Sequence, residues 1–300
     1  MSLGALLLLA TLEGLVTAAV LALTAAGLSL VFGIMRVVNV AHGEFFMLGA
    51  VVAWFVTDAL PAPAPVAFAA ALVAAPLAVG AVAVLADRLI LKRLDYDPEA
   101  TIVATIGLLY ILQQLALTGF GPDARPVAAP FDARLQLPGF GYSAYKLAVI
   151  AAAALVLTAV WLTLTRTRVG LVMRATQCDR ETATAFGIDT DRVYAGVFGL
   201  GAGLAALAAV LIVPIQQAHY LMGGDPLLLA FIVVILGGLG SFRGTLAAAL
   251  LIGLSDGLVS VFLPVFSAAF TPTLSKIIAT LLVALVLVFR PQGLFGKREP

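Results

Sequence analysis

Long apolar runs, interrupted at short intervals by glycine, proline or a few charges, constrain this chain more than any other feature. A bilayer-crossing helix needs about 20 mostly apolar residues. Nine stretches read as such spans: 10–33, 44–57, 65–87, 100–118, 145–165, 193–213, 227–240, 244–263 and 273–289. Two of them, 44–57 and 227–240, are short and abut Gly-rich or polar breaks. Pro76 falls inside the third, where its missing N–H predicts a kink.

Composition removes the soluble alternatives. Charged residues make up 11% of the 300, against about 25% in soluble domains, and 62% are hydrophobic. That much apolar surface needs lipid as its solvent. The expectation is an all-α, polytopic transmembrane helical bundle, a single domain over 1–300. A net charge of +1 with no basic face gives no reason to expect a nucleic-acid partner. Cys178 is the single cysteine, so no internal disulfide can form. Met1 to Ala10 is apolar but has no basic flank, and reads as retained rather than as a cleaved signal.

Lysine and arginine set the expected orientation. With nine spans, 13 of the 17 cations fall on one side; Arg125, Arg134, Lys146 and Lys276 fall on the other. This bias puts the N-terminus outside and the C-terminus in the cytoplasm. If one short segment is re-entrant there are eight crossings, and the bias is scrambled unless the N-terminus also flips. The largest external loop is 119–143, where dense Pro and Gly predict an ordered, turn-rich cap without long helices. The longest polar segment is the cytoplasmic loop 166–191.

Polar groups at lipid depth are costly and need a reason. Arg36 to Glu44 places Asn39, His42, Gly43 and Glu44 between two apolar runs. A matching break, Gly237-Gly238-Leu239-Gly240-Ser241-Phe242-Arg243-Gly244, interrupts an apolar run late in the chain. Irregular backbone at that depth survives when buried in protein or facing a water-filled cavity, and transporters place solutes at such breaks. A tight cytoplasmic turn is the plainer reading of each. Asp256 and Glu44 look deep enough for a functional carboxylate; bonding to a neighbouring helix is the alternative. Asp58, Asp225 and His219 fall near outer ends, and Gln113 and Gln114 late in the fourth span. The pairs Gly199/Gly203, Gly240/Gly244 and Gly253/Gly257 have the spacing that lets helices approach closely.

In the loop 166–191, Asp179 is a good N-cap and Gly187 a good helix stop. About two turns of helix between them form a handle for a soluble partner, or a surface helix with none. No G-x-x-x-x-G-K-[ST] loop occurs, so the chain has no ATPase motif of its own. Two distant histidines predict no metal site, no cofactor is expected, and no span carries an arginine ladder.

Four segments, in order, resemble one family. They are Gly33 to Phe45, Phe186 to Arg192, Leu236 to Thr245 and Phe289 to Gly296. The chain resembles the H-type permease subunit of bacterial branched-chain amino acid ABC importers, the Liv type. The resemblance implies a multi-pass protein of the bacterial inner (plasma) membrane with four kinds of partner. These are a second, M-type permease, two cytoplasmic ATP-binding subunits, an extracytoplasmic solute-binding protein and the lipid bilayer. It implies that Asp179, Arg180, Glu181, Thr182, Ala183, Phe186 and Gly187 form the ATPase-docking segment. On the residues and the resemblance together, Asn39, His42, Gly43, Glu44, Gly237, Gly238, Gly240 and Asp256 are candidates for the solute path or its helix breaks.

Other readings stay open at this point. The same transporter type serves urea and short-chain amides. A self-contained secondary transporter would have Glu44, Asp256 and His42 as its only coupling candidates. An intramembrane enzyme would need a convergent nucleophile or metal set, which the sequence does not offer.

Overall fold

A computed structural model describes residues 2–266 and Leu281. Apart from Leu281, the expected ninth span lies outside the described residues, as do the Phe289–Gly296 segment and Lys276. The other eight expected spans coincide with helices, in keeping with a helical membrane bundle. They are α1 (Leu3–Met35), α2 (His42–Ala59), α3 (Ala64–Leu89), α4 (Pro98–Phe120), α5 (Ala144–Arg166), α8 (Thr190–Ile212), α9 (Gly224–Gly237) and α10 (Phe242–Phe266). Six helices among the described residues are long and apolar enough to cross a membrane; α9 is apolar but shorter.

Some elements were not anticipated. The loop 166–191 contains an 11-residue helix, α6 (Arg168–Cys178), before the short α7 (Arg180–Ala185). Four of its 11 residues are arginine, threonine or glutamine, and this polarity hides a surface helix from a search for spans. The all-α expectation also omits an antiparallel hairpin in 119–143, β1 (Arg134–Leu137) with β2 (Phe140–Ser143). Pro138-Gly139 turns it, with Gly139 at φ +95°.

Helix ends follow local chemistry. Asp97 caps α4, accepting from the Ala100 amide at 2.8 Å, with Pro98 in the first turn. Asp189 caps α8, accepting from the Arg192 amide at 3.1 Å. α9 stops at Gly238, whose φ of +97° a side chain would resist.

α1 is the axis of the bundle. Its most apolar stretch is 83% buried, and that of α8 78%, against 17% for α5. A helix apolar all round belongs inside. α1 packs along α10, α8, α9 and α5, while α2 and α3 close on the other side of α8. Backbones touch at these crossings. Gly27 meets Gly201, with a Cβ on Gly201 falling 2.8 Å from the Gly27 carbonyl oxygen. Gly14 lies as close to Gly253, and Gly199 sits on Gly80. The pair Gly253/Gly257 seats α10 on α1, and Gly199/Gly203 seats α8 on α3.

Gly201→Val should overpack the α1–α8 crossing and cost about 1–3 kcal/mol, read as a lower thermal midpoint in detergent. Gly196→Ala, where nothing lies within 4 Å of a built Cβ, should leave the midpoint unchanged or raise it.

Candidate functional site

The chain between α1 and α2 turns back into the bundle. α1 ends at Arg36, in the left-handed region at φ 55°. Residues 36–41 then run back along α1 without helical structure. The His42 Nε2–H donates to the Thr24 carbonyl at 2.9 Å. Thr24 is eleven residues before Met35, so α2 begins about 16 Å back from the end of α1, at 1.5 Å per residue. Thr105 of α4 accepts from the Val40 amide at 3.2 Å, and Asn39 Oδ1 accepts from the Ala41 amide at 3.1 Å. These bonds satisfy part of a backbone that has no helix of its own.

A second break meets the first. α9 starts at Gly224, and Gly223 lies backbone to backbone against Gly43 at the start of α2. Neither helix start has a side-chain cap. Asn39, His42 and Glu44 are buried, at 1%, 0% and 3% exposure. Among the described residues, His42 Nδ1 and Glu44 Oε2 have no hydrogen-bond partner. The later break sits elsewhere. Gly237 abuts Gly244, and Gly240, at φ 76°, abuts Gly33, on the α6 side of the bundle.

A cavity of about 360 Å³ opens between α1, the 212–222 connection, α9 and α10. Val16, Val20, Leu21, Phe46, Ile232 and Ile252 give it apolar walls. Its polar groups are Thr17, Gln216, His219, Asp225 and Asp256. The Thr17 hydroxyl donates to Asp256 at 3.3 Å. The first turn of α9 contributes Asp225 and Pro226. Of the expected path residues, Asp256 lines this cavity; Asn39, His42, Glu44 and Gly237, Gly238 and Gly240 do not. Thr17 and Gln216 escaped sequence reading, because a lone threonine in an apolar run and a glutamine beyond a span have no periodic signature.

α6 and α7 form a separate surface. Asp179 caps α7, accepting from the Thr182 amide at 3.1 Å and from the Thr182 hydroxyl. These bonds, the hydroxyl's first, hold the exposed Asp179 carboxyl below its ordinary value of 3.8. The helix ends in a Schellman motif. The Gly187 amide bonds the Thr184 carbonyl at 2.9 Å and the Ile188 amide bonds Ala183 at 3.1 Å. Gly187 adopts φ 82°, with nothing within 4 Å of a built Cβ, so only backbone strain opposes a side chain there. Between α6 and α7 lies an apolar groove lined by Leu171, Val172, Ala175, Ala183, Phe186 and Ile188. Phe186 is 83% exposed. Glu181 faces solvent, while Ala183 is buried.

Arg180 points the other way. Its guanidinium lies 5.2 Å from the Tyr96 ring and 5.3 Å from the Tyr194 ring, which stand edge to face at 4.7 Å. It pairs with Asp95 and Asp191, each at 3.5 Å, and Lys92 joins Asp191 at 3.0 Å. Burial, with Asp87 and Asp191 nearby, pushes the Tyr96 hydroxyl up. Asp87, fully buried at the end of α3, lies behind Tyr96. Exposed ion pairs each contribute little, but the stacked cation ties α7 to the α3–α4 connection and to α8 at once. An acid at the end of an apolar span was the available signal for Asp87; Tyr96 and Tyr194 offered none.

Comparison with known proteins places the chain among permeases. Residues 10–287 match a family model described as the branched-chain amino acid transport system / permease component. The chain is 29% identical to BraD of Pseudomonas aeruginosa, a high-affinity branched-chain amino acid transport system permease protein, over 96% of this chain and 95% of that one. It is 28% identical to LivH of Escherichia coli strain K12, similarly named, over 96% and 94%. A probable LivH of Methanocaldococcus jannaschii is 27% identical over 95% and 91%. In fold, the chain is similar to PsaBC from Streptococcus pneumoniae, with TM-score 0.50, 14% identity, and coverage of 93% and 90%.

Because Asp179 has a depressed pKa when folded, its cap is intact above the ordinary value of 3.8 and lost as pH falls through the lower folded value. Hydrogen exchange at the Thr182 amide, corrected for intrinsic rate, should therefore accelerate below about pH 4. Asp179→Ala should show the faster exchange already at neutral pH.

Proposed function

We propose a function from one premise: the chain belongs to the permease family of branched-chain amino acid transport systems. As a member it is a multi-pass membrane permease subunit of the Liv importer type, a transport component and not an enzyme. Such a subunit works with permease and ATPase partners.

We infer that its solute is a branched-chain amino acid, the class named for the relatives, and that the cavity beside Asp256 lies on the path. The lining of that cavity is the observation that carries this reading. A leucine-like solute is a zwitterion with an aliphatic side chain. Aliphatic walls receive the side chain, and the Asp256 carboxylate, steadied by Thr17, receives the ammonium. The first turn of α9 opens on the same space and carries Asp225 there, so a second carboxylate faces the ammonium. Neutral urea would gain little from these charges, which favours the amino acid over urea and short amides.

The rest of the reading concerns assembly. In this proposal α2 and α9 count among nine crossings, with the N-terminus outside and the C-terminus in the cytoplasm of a bacterial inner membrane. The other permease is the M-type partner, and an extracytoplasmic protein delivers solute on the side of the hairpin. Two ATP-binding subunits grip the α6–α7 groove and the exposed Phe186. When they close, α7 moves, Arg180 passes the motion to α3 and α8, and the membrane halves rock to open alternately.

The test is reconstitution of the assembled transporter in proteoliposomes with labelled leucine. Uptake should require ATP and the binding protein. Asp256→Asn should lower uptake about tenfold, the scale of a charge-assisted hydrogen bond of ~1.5 kcal/mol; wild-type uptake would reduce Asp256 to a structural role. Gly187→Val should insert normally but lower the solute moved per ATP hydrolysed. Uphill uptake by this chain without nucleotide would overturn the motor-driven reading in favour of a self-contained transporter.

A further inference from the structure

A surface trough runs between α1, α5 and α10, with a volume of about 500 Å³. Leu15 and Ala19 of α1, Ile150 and Leu157 of α5, and Leu246 and Leu250 of α10 form its walls. At one end it reaches Trp161 and Arg243, and these two residues also line a smaller, mostly apolar pocket. That pocket adds Arg174, Gln177 and Thr165, and no carboxylate among its described residues. Arg174 donates to the Leu164 carbonyl. Arg243 is exposed, and among the described residues it makes no ion pair.

We propose that the trough and its arginine-bearing end bind one anionic phospholipid, with an acyl chain along α1, α5 and α10 and the phosphate at Arg243 and Arg174. Three features favour this occupant. First, the trough extends from Trp161 to Ile150, eleven residues of α5 or about 16 Å. One leaflet of a hydrocarbon core about 30 Å thick has nearly that depth. Second, the charge changes where a lipid's does, from aliphatic walls to two guanidinium groups. Basic pockets between helices on the cytoplasmic side recognise anionic headgroups in this way. Third, Trp161 stands at the junction, where the amphipathic indole ring suits the membrane interface. The inference rests on the membrane reading and on the arginine-rich side facing the cytoplasmic leaflet. It does not depend on the identity of the solute.

Native mass spectrometry of the full chain in detergent tests it, with phosphatidylglycerol and phosphatidylcholine of matched acyl chains as probes. The wild type should retain one phosphatidylglycerol about fivefold in preference to phosphatidylcholine, the equivalent of about 1 kcal/mol for one arginine at the membrane surface. Arg243→Gln should lower the preference, with Arg174 left in place, and Arg243→Lys should keep most of it, which separates lost charge from lost fold. Ala154→Phe, at an exposed position on the trough wall, should reduce retention of both lipids at least fivefold. Equal retention of the two lipids would overturn the proposal, as would an unchanged preference in Arg243→Gln. Displacement by inorganic phosphate would reduce the site to one for a free anion. A photoreactive group at position 154 should label lipid in the assembled transporter; labelling of a second permease subunit instead would also overturn it. None of these readouts uses solute uptake, so this proposal and the transport reading fail separately.

Discussion

Backbone polar groups have no water to bond in lipid, and the whole architecture answers that constraint. Helices satisfy it within themselves, so what remains is to hold the helices together without a hydrophobic driving force between them. Here the means is close approach. α1 lies against α8 and α10 at Gly27/Gly201 and Gly14/Gly253, with no side chain between the backbones. At that distance dispersion acts over the full length of the crossing, and the central helix becomes the reference to which other elements are set. The peripheral α5, mostly exposed, is held by fewer such contacts.

The same constraint explains how the breaks are tolerated. Residues 36–41 have lost their helical bonds, yet Asn39, Thr105 and Thr24 supply partners to the segment and to His42 behind it. The start of α9 lies against the start of α2 through Gly43 and Gly223, so one irregularity shields the other. His42 and Glu44 are part of that structure and not of the cavity wall. Asp256, on an unbroken helix, is where chemistry and open space coincide.

Much of this was legible in the sequence because lipid imposes a one-dimensional pattern. Run length identified the long apolar helices among the described residues, and Asp179 and Gly187 identified both ends of α7, since cap and stop are local chemistry. Gly253 and Gly257 were legible as a packing pair by spacing alone. Their partners on α1 were not, because the contact of Gly14 with Gly253 joins residues far apart in the chain. α6 was hidden because an exposed helix has no apolar run, and the hairpin because Pro and Gly announce turns without announcing pairing. The cavity had the weakest signal. Thr17, Gln216, Asp225 and Asp256 come from four separate segments, and only the fold makes them neighbours.

The inward setting of Arg180 has a mechanical consequence. α7 is six residues long, braced at its root between two tyrosine rings and bare at its tip, where Phe186 stands in solvent. A push on such an arm produces torque about the root, and the brace is shared by the α3–α4 connection and α8. A small sideways stroke at the tip therefore becomes a twist applied to two parts of the bundle at the same instant. Synchrony of this kind needs no signal relayed along a helix; it is built into where one guanidinium is clamped.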